Sequence, residues 1–257
     1  VLREAIGGAE LVYSDQRLVD RNGRVLRESL WKTRHNNQSN LASMMMANTV
    51  VGAASLFRRR VLEFALPFPE GPGWQFHDHW LSVVALATGE IAYVDRPLYD
   101  YVQHSGAIVS KVGVEESTPR EPLGVRLRRL RRPLHRWRSI YFRAYLAMAL
   151  QARVLLLRCS PRLTPRKRRA LELLLAAADS PRAFSWLLLR PLREAIGRNE
   201  TLGTETHLLR GILWFHVLRI RVGGRRRPGD RDYDAEIPAF DLIGFGQARL
   251  KRWLAGD

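Results

Sequence analysis

Near Glu115–Pro122 the chain changes character, and no single regular architecture satisfies both sides of that change. Before it, short apolar runs of strand length alternate with glycine, proline and asparagine turns; after it, leucines and aromatics recur at helical spacing among arginines. Alternating elements first and consecutive helices afterwards predict an α/β region followed by an α-helical one. With 257 residues, 46% of them hydrophobic, the chain has the material for a substantial core and is globular, not disordered.

The first half divides at its turn residues. Val1–Glu10 reads as the end of a helix and a glycine turn leading into a strand at Leu11-Val12-Tyr13, which ends in Ser14-Asp15. Arg17 to Leu26 alternates around Asn22-Gly23, the strongest short hairpin signal a sequence offers. Arg34-His35-Asn36-Asn37 reads as a polar loop, either a ligand contact or a solvated turn. Ser39 or Asn40 caps a helix running to Ala47, with Met44, Met45 and Met46 as core packing. Asn48 to Phe57 is strand-like, and its interior Gly52 marks either a bulge or a close approach to the backbone. A short helix near Arg59–Phe64 and a helix over Asp78–Thr88 follow. A strand at Ile91–Val94, a turn at Asp95 and a strand ending near His104 complete this half.

Beyond the change, Pro133 breaks a helical pattern that runs from Leu123 to Leu157. Thr164-Pro165 opens a helix to about Ala178 and Ser180-Pro181 one to about Ile196, and a further helix covers Glu205–Arg221. Gly223–Asp230 is a linker and Asp234–Asp257 an unassigned tail. The expected divisions are therefore residues 1–114, a linker at 115–122, a basic helical extension at 123–221, and a linker with tail at 222–257.

Four polar features stand at the ends of apolar runs. In Gln75-Phe76-His77-Asp78-His79-Trp80 a carboxylate lies between two imidazoles where a loop becomes a helix, so Asp78 is either a helix cap or a base. Asp15 follows a buried strand, where open α/β sheets bind ligands. Gly52 and His104 complete the set. His77 and His79 read as polar residues of the cap region beside that carboxylate, and Trp80 as a core residue.

In this order the four features resemble the second half of the catalytic domain of family 2 glycosyltransferases, enzymes of the GT-A fold that use nucleotide sugars. Leu11-Val12-Tyr13-Ser14-Asp15 is similar to the strand carrying the metal-binding Asp-x-Asp element, although Tyr13 and Ser14 replace its first acidic residues. Asn48–Phe57 is similar to the glycine-containing strand on the acceptor side, Phe76–Trp80 to the acidic motif supplying the base, and Tyr101-Val102-Gln103-His104 to the Tyr-x-x-His element. The resemblance, over roughly residues 8 to 110, implies a partial GT-A mixed sheet with flanking helices. It implies a nucleotide-sugar donor and a divalent cation, Mn or Mg, held by Asp15 and His104, with Asp78 as the catalytic base. It gives Gly52, His77, His79 and Trp80 to the acceptor, a glycan or a lipid-linked molecule in cell-surface synthesis, and predicts an inverting reaction. Nothing in residues 1–10 resembles the nucleotide-binding half that opens the family's domain. The expectation is thus a fragment with little activity of its own and an exposed sheet edge.

Composition frames the partners. The formal net charge is +17 and is carried by arginine far more than lysine. Arg126 to Arg138, interleaved with Leu127, Leu130, Leu134 and Trp137, reads as attachment to an anionic membrane surface or as a solvated face. Nucleic acid ranks below both, because no zinc knuckle, RNP motif or helix-turn-helix spacing accompanies the arginines. Two other readings stand beside the enzyme: a noncatalytic glycan- or partner-binding module, and a basic helical adaptor. One cysteine, Cys159, excludes an internal disulfide and fits a reducing cytoplasm. No run reaches the ~18 uncharged residues of a spanning helix, so a peripheral place on the inner membrane face is the expected location.

Overall fold

The strand β1, Leu11–Val19, is buried at every residue except Arg17, and the first half is assembled around it. This computed structural model describes residues 1–31, 36–69, 77–103, 134–196, 201 and 203–223, without the side chains of 134–136, 194–196 and 217–223. β4, Ile91–Val102, runs parallel to β1 along the whole of one edge, from Leu11↔Ile91 to Val19↔Val102. The other edge is shared by two short antiparallel strands: β3, Ser55–Phe57, pairs at Leu11–Tyr13, and β2, Val25–Arg27, pairs at Leu18 and Val19. The result is a small four-stranded mixed sheet with flanking helices, a mixed α/β fold.

Local chemistry accounts for the elements. The Asn22-Gly23 hairpin forms as expected, with Gly23 at φ +79° and the Asp20 carboxylate accepting from the amides of Asn22 (2.8 Å) and Arg24 (2.9 Å). Ahead of β1 a single helical turn, α1, covers Leu2–Ala5. Asn40 caps α2, Leu41–Met46, by accepting from the Ser43 amide at 3.0 Å, and all three methionines are buried. α3 spans Val61–Ala65 and α4 His77–Thr88.

Two strand expectations are corrected. The segment 48–57 is strand only at β3; Gly52–Ala54 before it is a 3₁₀ turn. The turn expected at Asp95 is instead a bulge within one continuous strand. Between Ser14↔Val94 and Asp15↔Pro97 the ladder advances one residue on β1 and three on β4, so exposed Asp95 and Arg96 bulge out ahead of a proline that has no N–H to give.

The helical region begins, among the described residues, with α5, Leu134–Ile140. It passes through a π turn at Tyr141–Tyr145 into α6, Leu146–Arg158. α7 is Pro165–Ala176 and α8 Pro181–Leu189, each with proline in the first turn behind its expected cap, Thr164 or Ser180. A 3₁₀ segment, Arg190–Ile196, follows, and α9 is Thr204–Gly223. Trp137–Arg158 makes one 22-residue helix long and apolar enough to cross a membrane by length and composition. Half of its most apolar window is buried, as in the core helix of a globular fold. Cys159 at its end is fully buried, and burial pushes its thiol pKa up to about 12.

The boundary expected at 115–122 lies outside the described residues. Beyond it, the helices to Ile212 belong to the same unit as the sheet, and Leu213–Asp257 forms a second. Basic side chains join the two parts of the first unit. Arg158 Nη1 donates to the carbonyls of Ala65 (3.0 Å) and Pro67 (2.9 Å), Lys167 Nζ to that of Gly89 (2.8 Å), and Arg190 Nη2 to the Ser43 hydroxyl (2.7 Å).

At Gly211, α9 presses on the π turn: a Cβ there would stand 2.8 Å from the Tyr141 nitrogen and 2.9 Å from its Cα. Backbone cannot swing aside as a side-chain tip can. Alanine gains about 1 kcal/mol of helix propensity over glycine, but overpacking costs about 1–3 kcal/mol. Gly211→Ala is therefore expected to lower unfolding stability, by up to about 2 kcal/mol in urea denaturation.

Candidate functional site

Asp15 is 2% exposed, and its carboxylate is engaged by the chain itself. Oδ1 accepts from the amides of Gln16 (2.7 Å) and Leu30 (3.0 Å), while Oδ2 accepts from the hydroxyl of Ser29. Leu30 also donates its amide to the Gln16 carbonyl at 3.0 Å, so Ser29–Leu30 fills the stretch of β1's edge between β3 and β2. A carboxylate with three N–H and O–H donors is stabilised as an anion by hydrogen bonds and needs no cation for that purpose. The carboxylate expected to hold a metal thus holds hydrogen-bond donors of its own chain. Ser29 carried no signal in the sequence, since a serine beyond a hairpin is ordinary.

Asp78 and Gly52 meet. Gly52 opens the 3₁₀ turn that β3's pairing with Leu11–Tyr13 sets beside β1, and Asp78 is the second residue of α4. The Gly52 amide points to Asp78 Oδ2 at 3.4 Å, and Asp78 Oδ1 accepts from the His79 amide at 2.7 Å. A Cβ on Gly52 would lie 3.2 Å from His77 Nε2 and 3.3 Å from Asp78 Cβ, so the close approach anticipated at this glycine is made by the start of α4. His77 is exposed and Asp78 half-buried. An exposed imidazole, a carboxylate and a backbone amide therefore share one small surface, a group able to accept a proton from a hydroxyl and to hold the oxygen that carried it.

The remaining expected residues divide differently. His79 and Trp80 are buried, 4% and 2% exposed, and both serve the core rather than an acceptor. His79 Nε2 donates to the Met44 carbonyl at 2.7 Å, and Trp80 Nε1 to the Ala65 carbonyl at 2.9 Å with the Arg158 guanidinium 5.9 Å from its ring centre. From His79 to Ala87 every residue of α4 is buried, so the helix is enclosed on all sides there and its first turn, with His77, reaches solvent. His104 lies outside the described residues, as do Arg34 and His35 of the expected loop. Asn37, from the same loop, is core: it is 1% exposed and accepts from the Thr49 hydroxyl, which also meets the Tyr13 hydroxyl at 3.2 Å.

The described residues do not fit a divalent cation around Asp15. Its oxygens are already engaged, and among those residues no three His, Cys, Asp or Glu side chains gather as a metal site requires. No protein-family model, no curated protein and no solved structure matches the chain.

Two outcomes follow from these environments. Asp15→Ala leaves buried donors unmet and is expected to cost about 2–3 kcal/mol in denaturant unfolding without added metal. A carboxylate reserved for a cation would leave metal-free stability unchanged or raised when removed. Burial holds the pKa of His79 below the ordinary 6.5, outweighing its bond to Met44 and the nearby Asp78 charge. The unfolded chain then takes up a proton that the folded chain refuses. Stability is expected to be full above about pH 6.5 and to decline as pH falls below it, with His79→Gln flattening that slope in melts across pH 5 to 8.

Proposed function

We propose that this chain carries the acceptor side of an inverting glycosyltransferase of GT-A type, in which Asp78 takes the proton from an acceptor hydroxyl. What supports the reading is the meeting of Gly52 and Asp78, 26 residues apart in sequence, at a point open to solvent through His77. The exposed hydroxyl of a glycan or lipid-linked sugar approaches from the His77 side, where the imidazole orients it by a hydrogen bond. Asp78 Oδ2 accepts its proton as the oxygen attacks the anomeric carbon, and the configuration inverts because the carboxylate forms no bond to that carbon. The first turn of α4 favours the negative side chain that does this work. A nucleotide sugar supplies the glycosyl unit and its departing diphosphate carries the negative charge. A divalent cation would belong to this chemistry, but the mechanism above uses no step through it, because Asp15 is buried and already accepts three hydrogen bonds from its own chain.

The membrane partner of this reading has its own support. On α8 and the 3₁₀ segment after it, Leu188, Leu189 and Leu192 are 53%, 60% and 64% exposed, and Arg182 in the first turn of α8 is exposed as well. Outward leucines on a basic chain suit an anionic bilayer surface, the place of a lipid-linked acceptor.

The test is sugar transfer from a panel of nucleotide sugars by the longest natural chain containing these residues, with Asp78→Asn beside the parent. Asparagine keeps an oxygen for the His79 amide, so the helix start survives. Transfer is expected to fall about 10²- to 10⁴-fold with an unchanged circular dichroism spectrum; equal turnover by the two chains removes Asp78 as base.

A further inference from the structure

Between α2, α7 and α8 lies a cavity of about 540 Å³, within the size range of small-molecule sites. Its charged lining is mostly basic: Arg166, Lys167 and Arg169 from α7 and Arg190 just after α8 face it, with Glu90 as the acidic lining residue. Their surroundings divide the labour. Arg190 is 8% exposed and fixed, its Nη2 donating to Ser43 at 2.7 Å, its Nε 3.4 Å from Glu205, and its guanidinium 5.0 Å from the Trp186 ring centre. Lys167 is tied to the Gly89 carbonyl at 2.8 Å and to Glu90 at 3.3 Å. Arg166 and Arg169 are exposed at the rim, Arg169 with Glu172 at 3.8 Å. A floor with one fixed cation, an aromatic wall and two arginines at the mouth is thereby formed.

Glu205, Glu90 and Glu172 stand against Arg190, Lys167 and Arg169 in turn, so the positive excess of the cleft lies at its mouth, on Arg166 and on Arg169, whose pair with Glu172 is exposed and weak. A positive excess at the mouth of a cleft draws anions. Guanidinium groups bind phosphoryl oxygens through paired, charge-assisted N–H donors. We propose that this cavity is a binding site for a phosphoryl group, with Arg166 and Arg169 closing on its oxygens, the fixed Arg190 guanidinium forming the floor and Trp186 covering the organic part. The site is separate from the transfer reading above, since none of Gly52, His77 and Asp78 lines it. The phosphoryl group belongs either to a soluble phosphorylated molecule or to a lipid headgroup.

The chain's net charge of +17 sets the control, because any polyanion is drawn to such a protein. Pyrophosphate is titrated calorimetrically at physiological salt into the full chain, into Arg166→Gln/Arg169→Gln, and into Arg3→Gln/Arg21→Gln. The last pair removes equal charge from exposed positions outside the cavity. The expected result is saturable one-to-one binding, weakened about tenfold or more by the cavity pair, about 1.4 kcal/mol, and less than about twofold by the control pair. Flotation with phosphatidylcholine vesicles containing phosphatidic acid forms the second arm. Dependence of flotation on Arg166 and Arg169 assigns the site to a headgroup, and pyrophosphate binding without such flotation assigns it to a soluble ligand. Equal weakening by both pairs, or no saturable binding in either arm, overturns the proposal.

Discussion

A negative charge is buried in the middle of β1, and the sheet is built to satisfy it. The Asp15 carboxylate can exist there only because the Ser29 hydroxyl and the amides of Gln16 and Leu30 converge on it. That requirement draws the segment after the hairpin onto the strand, closes the gap between β2 and β3, and leaves β1 paired or bonded along both edges. With β1 fixed, the pairing of Leu11–Tyr13 with β3 fixes the Gly52 turn, and α4 packs so that His77 and Asp78 arrive at that turn. The candidate site is thus a consequence of how the strand beside it is held.

The arginines serve the fold as well as any partner. Read as a sequence, Arg126 to Arg138 suggest an anionic membrane surface or a solvated face, with nucleic acid below both. In the fold, Arg158 reaches the carbonyls at the end of α3, Arg60 forms a two-pronged pair with buried Glu10, and Arg190 and Arg193 both donate to Ser43. Each is a strut between elements distant in sequence, where a planar, multiply donating cation satisfies carbonyls and hydroxyls that have lost water. Part of the positive charge is therefore structural, and only the remainder is available to an outside anion.

What the sequence revealed depended on whether the cause was local. The hairpin was legible because Asn22-Gly23 can adopt a left-handed turn, the helix starts because Asn40, Thr164 and Ser180 bond their own helices, and the burial of Cys159 because of its leucine neighbours. Gly52 was legible in part: its lack of a side chain announced a close approach, without saying that α4 would make it. The burial of Asp15 was not legible, since it depends on Ser29, which no periodicity links to it. Nor was the continuity of β4, because a bulge of Asp95 and Arg96 imitates a turn until a partner strand is present. Nor was the burial of His79 and Trp80, because it comes from elements that enclose α4 on all sides from His79 onward.

The account stands or falls on one contact, the amide of Gly52 against the carboxylate of Asp78. Following the Gly52 amide by nitrogen-15 NMR while the solution is acidified measures it directly. A shared site predicts that this resonance moves on acidification in the parent protein and moves much less in the Asp78→Asn chain. A Gly52 amide indifferent to acid in the parent protein, or one that moves equally without the carboxylate, would contradict the site.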